Sequence, residues 1–211
     1  MGGDGLTRRG GAPTSGRVMF SRRALALGLA VLPAAARAAA RAAPLMGGGF
    51  TLYLRHAITD RGQRDTGRLF DRAGQRNLSD AGRAQARAIG AGIARSGIPL
   101  GALRTSPVYR ASDTAALLGL PLPVVVDMDL VADDYSPDVP ATIAALRRVF
   151  ATPPAPGTNS LLVGHIVPLG MAIGRGLAEA EFPEGALAVL RPGGPAGFAL
   201  ERIVAPEALA A

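Results

Sequence analysis

The chain has no cysteine, no tryptophan and no lysine, and only two histidines among its 211 residues. Without cysteine there are no disulfides, thiolate nucleophiles, iron–sulfur clusters or Cys-based zinc sites. Two histidines are too few for an all-His metal centre, so neither a metal nor another cofactor is expected. Aromatic residues make up 4% of the sequence and are not interleaved with arginine, which removes the stacking platforms that single-stranded nucleic acids use. What is plentiful is apolar: 48% of residues are hydrophobic, too many for a disordered chain. The length suits one domain with a tail.

The formal charge of +7 suggests an acidic polymer as partner until its location is considered. Residues 1–45 hold seven arginines (Arg8, Arg9, Arg17, Arg22, Arg23, Arg37, Arg41) against Asp4 alone, and the other 166 residues hold 16 arginines and 15 acids. No nucleic-acid partner is therefore expected. Ser21-Arg22-Arg23 precedes an apolar run from Ala24 to Ala36, about 13 residues against the roughly 20 that span a bilayer. Small-x-small cleavage sites follow near Ala38 to Ala43. Paired arginines before a mildly apolar core resemble a twin-arginine export signal, and Met19 offers an alternative start. The expected organisation is an export signal over 1–45, which meets the membrane only transiently, and a domain over 46–211 in the periplasm or otherwise outside the cytoplasm.

From Phe50 onward, apolar β-rich runs alternate with helical stretches. Strands are expected at 50–55, Ala102–Thr105, 123–127 and 160–164. Helices are expected over Asp80–Arg95 with Ser79 as N-cap, from Pro107 as first helical residue, over Val139–Phe150, and after residue 164 to about Leu177. Two last strands, Leu187–Arg191 and Gly197–Ile203, flank the turn Pro192-Gly193-Gly194. This order predicts a three-layer α/β/α sandwich with a mainly parallel sheet and an antiparallel C-terminal pair. Residues 57–78 read as a long polar loop in which Arg61, Arg64, Arg68, Arg72 and Arg76 alternate with Asp60, Asp65 and Asp71. That loop suits either the selection of acidic leaving groups or a solvated lid.

Ligands of such sheets gather at the carboxyl ends of the strands. Both histidines fall there: His56 follows the strand at 50–55, and His165 the strand at 160–164. Arg55 stands beside His56, and Arg110 falls in the first turn of the helix after Thr105. Two guanidiniums and two imidazoles at one edge suit a compact dianion, because the arginine fork matches phosphate oxygens. The competing reading is ion pairing of Arg55 and Arg110 with Asp60 or Asp113.

LYLRHAIT (52–59) resembles the Arg-His-Gly/Ala signature of the histidine phosphatase superfamily, also called phosphoglycerate-mutase-like. RNLSDAGRAQARAIG (76–90), RTSPVYRASDTAALL (104–118) and LLVGH (161–165) resemble the family's other motifs, in family order, over about residues 50–205. The resemblance implies that His56 is a nucleophile that becomes phosphorylated, that Arg55, Arg110 and His165 hold the phosphoryl oxygens, and that Thr59 lines the pocket. It also implies a carboxylate proton donor after the strand that follows the Arg110 helix. Asp127, Asp129, Asp133 and Asp134 are available there, and Asp134 is preferred to Asp133, although both also suit a solvated loop. Gly62 where many members carry Asn, Ile166 where Gly is common, and the short length all favour hydrolysis over mutase chemistry. The expected activity is metal-independent hydrolysis of a phosphomonoester, a sugar phosphate or a cell-envelope phosphate, through a phosphohistidine. The rivals are a non-catalytic phosphate- or phosphosugar-binding module and a phosphohistidine protein phosphatase.

Overall fold

The structure, a computed structural model, describes residues 1–3 and 43–210. Most of the expected export signal lies outside the described residues. Six strands form one sheet: β1 (Thr51–Arg55), β2 (Leu100–Thr105), β3 (Val124–Val126), β4 (Asn159–Gly164), β5 (Leu187–Pro192) and β6 (Phe198–Val204). Among the described residues five α-helices accompany them: α1 (Asp80–Ser96), α2 (Tyr109–Leu117), α3 (Val139–Ala151), α4 (Ile166–Ala172) and α5 (Pro206–Ala210). The strand order is β3-β2-β4-β1-β5-β6. The first four strands in that order run parallel, while β5 runs antiparallel to both β1 and β6.

Every residue of β1 is buried, as expected of a strand covered on both faces, so its sequence reads as a continuous apolar run rather than an alternation. Its side chains still alternate between two cores. Leu52 and Leu54 pack with Ile89 and Ile93 of α1 and with Ala111 and Ala115 of α2. Tyr53 packs on the opposite face with Leu146 and Phe150 of α3 and Leu169 of α4. Edge-on ring contacts at 5.4 Å (Tyr53–Phe150) and 5.2 Å (Phe150–Phe198) extend this second core. Leu45 is buried in the first core at 3% exposure, so the folded domain takes in residues ahead of position 46.

Ser79 caps α1 as expected, its hydroxyl accepting from the Gly82 N–H at 3.0 Å. Gly97 ends α1 in the left-handed region at φ 67°, where glycine has no steric penalty. Two expectations are corrected. Helix α2 begins at Tyr109 with Val108 as N-cap, leaving Pro107 outside, because the Ser106 hydroxyl takes the Val108 N–H and holds that turn extended. Helix α4 ends at Ala172 rather than near Leu177: Gly174 takes φ 77°, and the chain from there to β5 is irregular.

Candidate active site

Strands β1 and β4 pair in parallel with Arg55 opposite Gly164, so the residues that follow them, His56 and His165, emerge together. Their ring centroids are 5.4 Å apart and their planes are tilted by 54°. His56 Nδ1 lies 2.9 Å from the Ala57 carbonyl oxygen. A carbonyl only accepts, so Nδ1 carries the proton and Nε2 keeps its lone pair. His165 Nε2 lies 2.8 Å from Ser106 Oγ. Both histidines are buried, and both are held well below the usual imidazole range. Burial is the main cause for each, and the Arg110 charge is the next. Both rings are therefore neutral at pH 7.

The backbone of His165 is fixed by Tyr53 of the neighbouring strand. The Tyr53 hydroxyl donates to the His165 carbonyl at 3.0 Å and accepts from its N–H at 2.7 Å. Gly164 is required beside it, since a Cβ there would run into the Tyr53 ring and hydroxyl.

The two arginines are paired, but with neither of the acids considered from sequence. Arg55 Nη1 donates to Glu179 Oε2 and to the Phe182 carbonyl, both at 2.7 Å, and Nη2 donates to Glu179 Oε1 at 2.9 Å. Arg110 Nη1 donates to Asp65 Oδ1 at 2.9 Å. Asp60 instead accepts from the Gly62 N–H, and Asp113 pairs with Arg72. A guanidinium has five N–H donors, so these bonds leave Nε and one N–H of Nη2 open on Arg55. Arg55 Nε, Arg110 Nε and His165 Nδ1 are all buried without a hydrogen-bond partner. Leaving a buried donor unmet costs about 1–3 kcal/mol. Two such guanidinium donors, with the unpartnered His165 Nδ1 beside them, mark a place where an anion supplies missing acceptors.

Asp65 organises the other wall. It accepts at one oxygen from Arg110, from the Arg76 N–H at 2.9 Å and from the Tyr135 hydroxyl at 2.5 Å. Burial pushes Asp65 upward, but these bonds and the nearby arginines outweigh it and hold the carboxyl low. Asp134 reaches the same wall, 3.8 Å from Arg110 Nη2, with 44% of its side chain exposed. Burial raises its pKa, the Arg110 charge opposes that, and Asp65 and Asp133 add to it. Among the described residues, no ion pair joins Asp133 to either clamp arginine. Thr59 lies at the edge of the site, where its hydroxyl donates to buried Glu184 at 2.6 Å. The structure thus brings His56, His165, Arg55, Arg110 and Asp134 together and turns Thr59 toward a carboxylate.

Tyr53, Asp65, Ser106 and Glu179 are the residues that sequence reasoning missed. Ser106 had a signal, lying in the Thr-Ser-Pro motif before Arg110. Tyr53 was hidden in an apolar strand, and Glu179 is 124 positions from its partner Arg55. The loop 57–78 is tied down rather than free: Thr66 binds the Gly74 carbonyl through N–H and hydroxyl, and Gln75 bonds to the Arg68 and Leu69 carbonyls and accepts from the Tyr109 N–H. Among the described residues, no group of three or more His, Asp or Glu side chains is arranged to hold a metal.

Residues 52–135 match the family profile of the histidine phosphatase superfamily (branch 1). No curated protein matches the chain in sequence. Among solved structures, the protein histidine phosphatase SixA complexed with tungstate is 18% identical with a TM-score of 0.55, covering 76% of this chain and 99% of its own. A mycobacterial glucosyl-3-phosphoglycerate phosphatase complexed with VO3 is 21% identical with a TM-score of 0.51, covering 73% of this chain and 98% of its own. The alpha-ribazole phosphatase from Shigella flexneri is 15% identical with a TM-score of 0.52, covering 74% and 96%. At these identities the likeness to the solved structures is one of fold.

Proposed function

From the match of residues 52–135 to the histidine phosphatase superfamily profile, we propose that this chain is a phosphatase that hydrolyses small phosphomonoesters through a phosphohistidine on His56. The observation that carries this reading is the pair formed by a neutral, oriented imidazole and the unpartnered buried polar atoms of Arg55, Arg110 and His165 around it. In the first step the His56 Nε2 lone pair attacks phosphorus, and the P–O bond to the leaving group breaks. The arginine donors offset the charge on the non-bridging oxygens. Asp134, whose pKa is raised, gives its proton to the leaving alkoxide. In the second step water attacks phosphorus while Asp134 takes a proton from it, the P–N bond breaks with its electron pair returning to His56 Nε2, and inorganic phosphate leaves. The expected substrates are sugar phosphates or phosphorylated cell-envelope glycans, met after export by the twin-arginine pattern at Arg22-Arg23.

The reading is tested by a chromogenic phosphomonoester assay with rapid quenching. A burst of product, with acid-labile phosphate trapped on the protein and lost in His56→Ala, supports it. Turnover without trapped phosphate would count against it. EDTA is expected to leave the rate unchanged, and strong inhibition would count against a metal-free route. N-terminal sequencing of the exported protein tests the location, a start near residues 39–46 being expected.

A second reading, a phosphate-binding module without turnover, is favoured by one observation: Asp134 is nearly half exposed and 3.8 Å from Arg110, a loose placement for an acid. Tight phosphate binding with no burst would establish it.

A further inference from the structure

Ser106 is fully buried beside His165, and the register of the sheet puts it there. Thr105 of β2 lies opposite Val163 of β4, so Ser106 and His165 leave adjacent strands at the same carboxyl edge. The Ser106 N–H donates to the Val163 carbonyl at 2.9 Å, which pins its backbone to β4. Its hydroxyl meets two groups. It accepts from the Val108 N–H at 3.2 Å and lies 2.8 Å from His165 Nε2. Pro107, the residue between Ser106 and Val108, has no N–H to compete for that oxygen.

A hydroxyl has one proton to donate, and a buried one needs an acceptor for it. The Val108 N–H is itself a donor and cannot serve. Among the described residues the acceptor within reach of the Ser106 proton is His165 Nε2, which must then carry a lone pair. Burial keeps the ring neutral, so its single proton sits on Nδ1, the atom that is buried without a partner. His56 is held the opposite way, its Nδ1–H donating to the Ala57 carbonyl and its Nε2 lone pair left open. One ring offers a lone pair and the other a proton. We propose that Ser106 is a positioning residue that fixes His165 in its Nδ1–H form, which makes His165 a donor to a phosphoryl oxygen and leaves His56 alone as nucleophile. An Nε2–H form would instead turn the Nδ1 lone pair toward the anion, so that two acceptors faced each other. The inference rests on the phosphatase reading for the identity of that anion and deepens it by showing how the second histidine is prepared.

The test is the position of the proton in the ligand-free protein. It is read from two-bond 1H–15N correlations of the imidazole rings at about pH 7.5, above the ordinary imidazole pKa. The chain has two histidines, and His56→Ala identifies His165 by elimination. His165 is expected to show a protonated Nδ1 and a bare Nε2. Ser106→Thr keeps the hydroxyl and should retain that pattern, while Ser106→Ala should lose it. Loss of the Nδ1 donor should also weaken binding of propylphosphonate, whose C–P bond is not hydrolysed, by about tenfold in calorimetry. A proton on His165 Nε2 in the unmodified protein overturns the proposal. So does a Ser106→Ala variant that keeps either the ring pattern or the affinity. The unmodified spectrum needs no variant, so it decides the case in which Ser106→Ala does not fold. Phosphate trapped on His56 is read separately. Its absence removes the phosphatase reading and leaves the tautomer assignment standing, whereas its presence with a proton on His165 Nε2 removes the Ser106 assignment alone.

Discussion

A carbonyl oxygen can only accept, and at the residue scale this decides what His56 does. The Ala57 carbonyl accepts from Nδ1–H, burial and Arg110 keep the ring neutral, and Nε2 keeps the lone pair that the proposed attack on phosphorus requires. The same reasoning separates the roles of the two acids on the wall. Asp65 is held low by its three donors and serves as an anchor for Arg110. Asp134 is pushed up by burial, the direction that the proposed acid role needs. Asp134→Asn is therefore expected to slow alkyl phosphates by about 100-fold and 4-nitrophenyl phosphate by only a few-fold, a split visible in kcat. Equal slowing of both would reject the acid role. Tyr53→Phe removes the hydroxyl that meets both backbone groups of His165. Two unmet polar groups in a buried strand end should cost about 1–3 kcal/mol each, read as a lower urea midpoint.

At the scale of elements, the site is assembled by short polar crosslinks between parts that meet at the carboxyl edge of the sheet. Gln85 of α1 accepts from the Ile58 N–H and donates to the Glu184 carbonyl, both at 3.0 Å. Thr114 of α2 accepts from the Ala57 N–H at 2.9 Å and donates to the Arg110 carbonyl at 2.7 Å. Ser79→Ala removes the cap of α1 and should cost about 1 kcal/mol, measured by thermal or urea unfolding. Gly82→Ala should cost more and lower activity too, because a Cβ there meets the backbone of Ile58, two residues past His56. The strands and α1 were legible because burial and capping leave local signatures: β1 as an apolar run, Ser79 and Gly97 as punctuation. The ends of α2 and α4 were not, since Ser106 and Gly174 act through particular backbone geometry that composition does not display. For the site, the strand-end position of His56 and His165 and the motif around Arg110 were readable. The partners Glu179 and Asp65 were not, because each is chosen by tertiary proximity from several equivalent acids.

For the whole molecule, the excess positive charge belongs to residues 1–45, and residues 46–211 are close to neutral. Its two histidines are the only ones in the chain, and both are buried and neutral. Their folded pKa values lie below the unfolded value of about 6.5. Above that pH neither state binds the two protons; below it only the unfolded chain does. Stability should therefore be level above about pH 7.5 and fall with acidification, with a slope approaching about 2.7 kcal/mol per pH unit for two protons. Denaturant midpoints taken between pH 7.5 and 5.5 check this, and a flat profile would mean that the rings are not buried neutral. The central claim, a covalent phosphohistidine at one strand end, is tested most directly by quenching the enzyme with substrate and locating the modification by mass spectrometry. The expected result is one acid-labile, base-stable phosphate per chain on His56, absent in His56→Ala. Turnover with no such adduct, or an adduct that survives in His56→Ala, would contradict it.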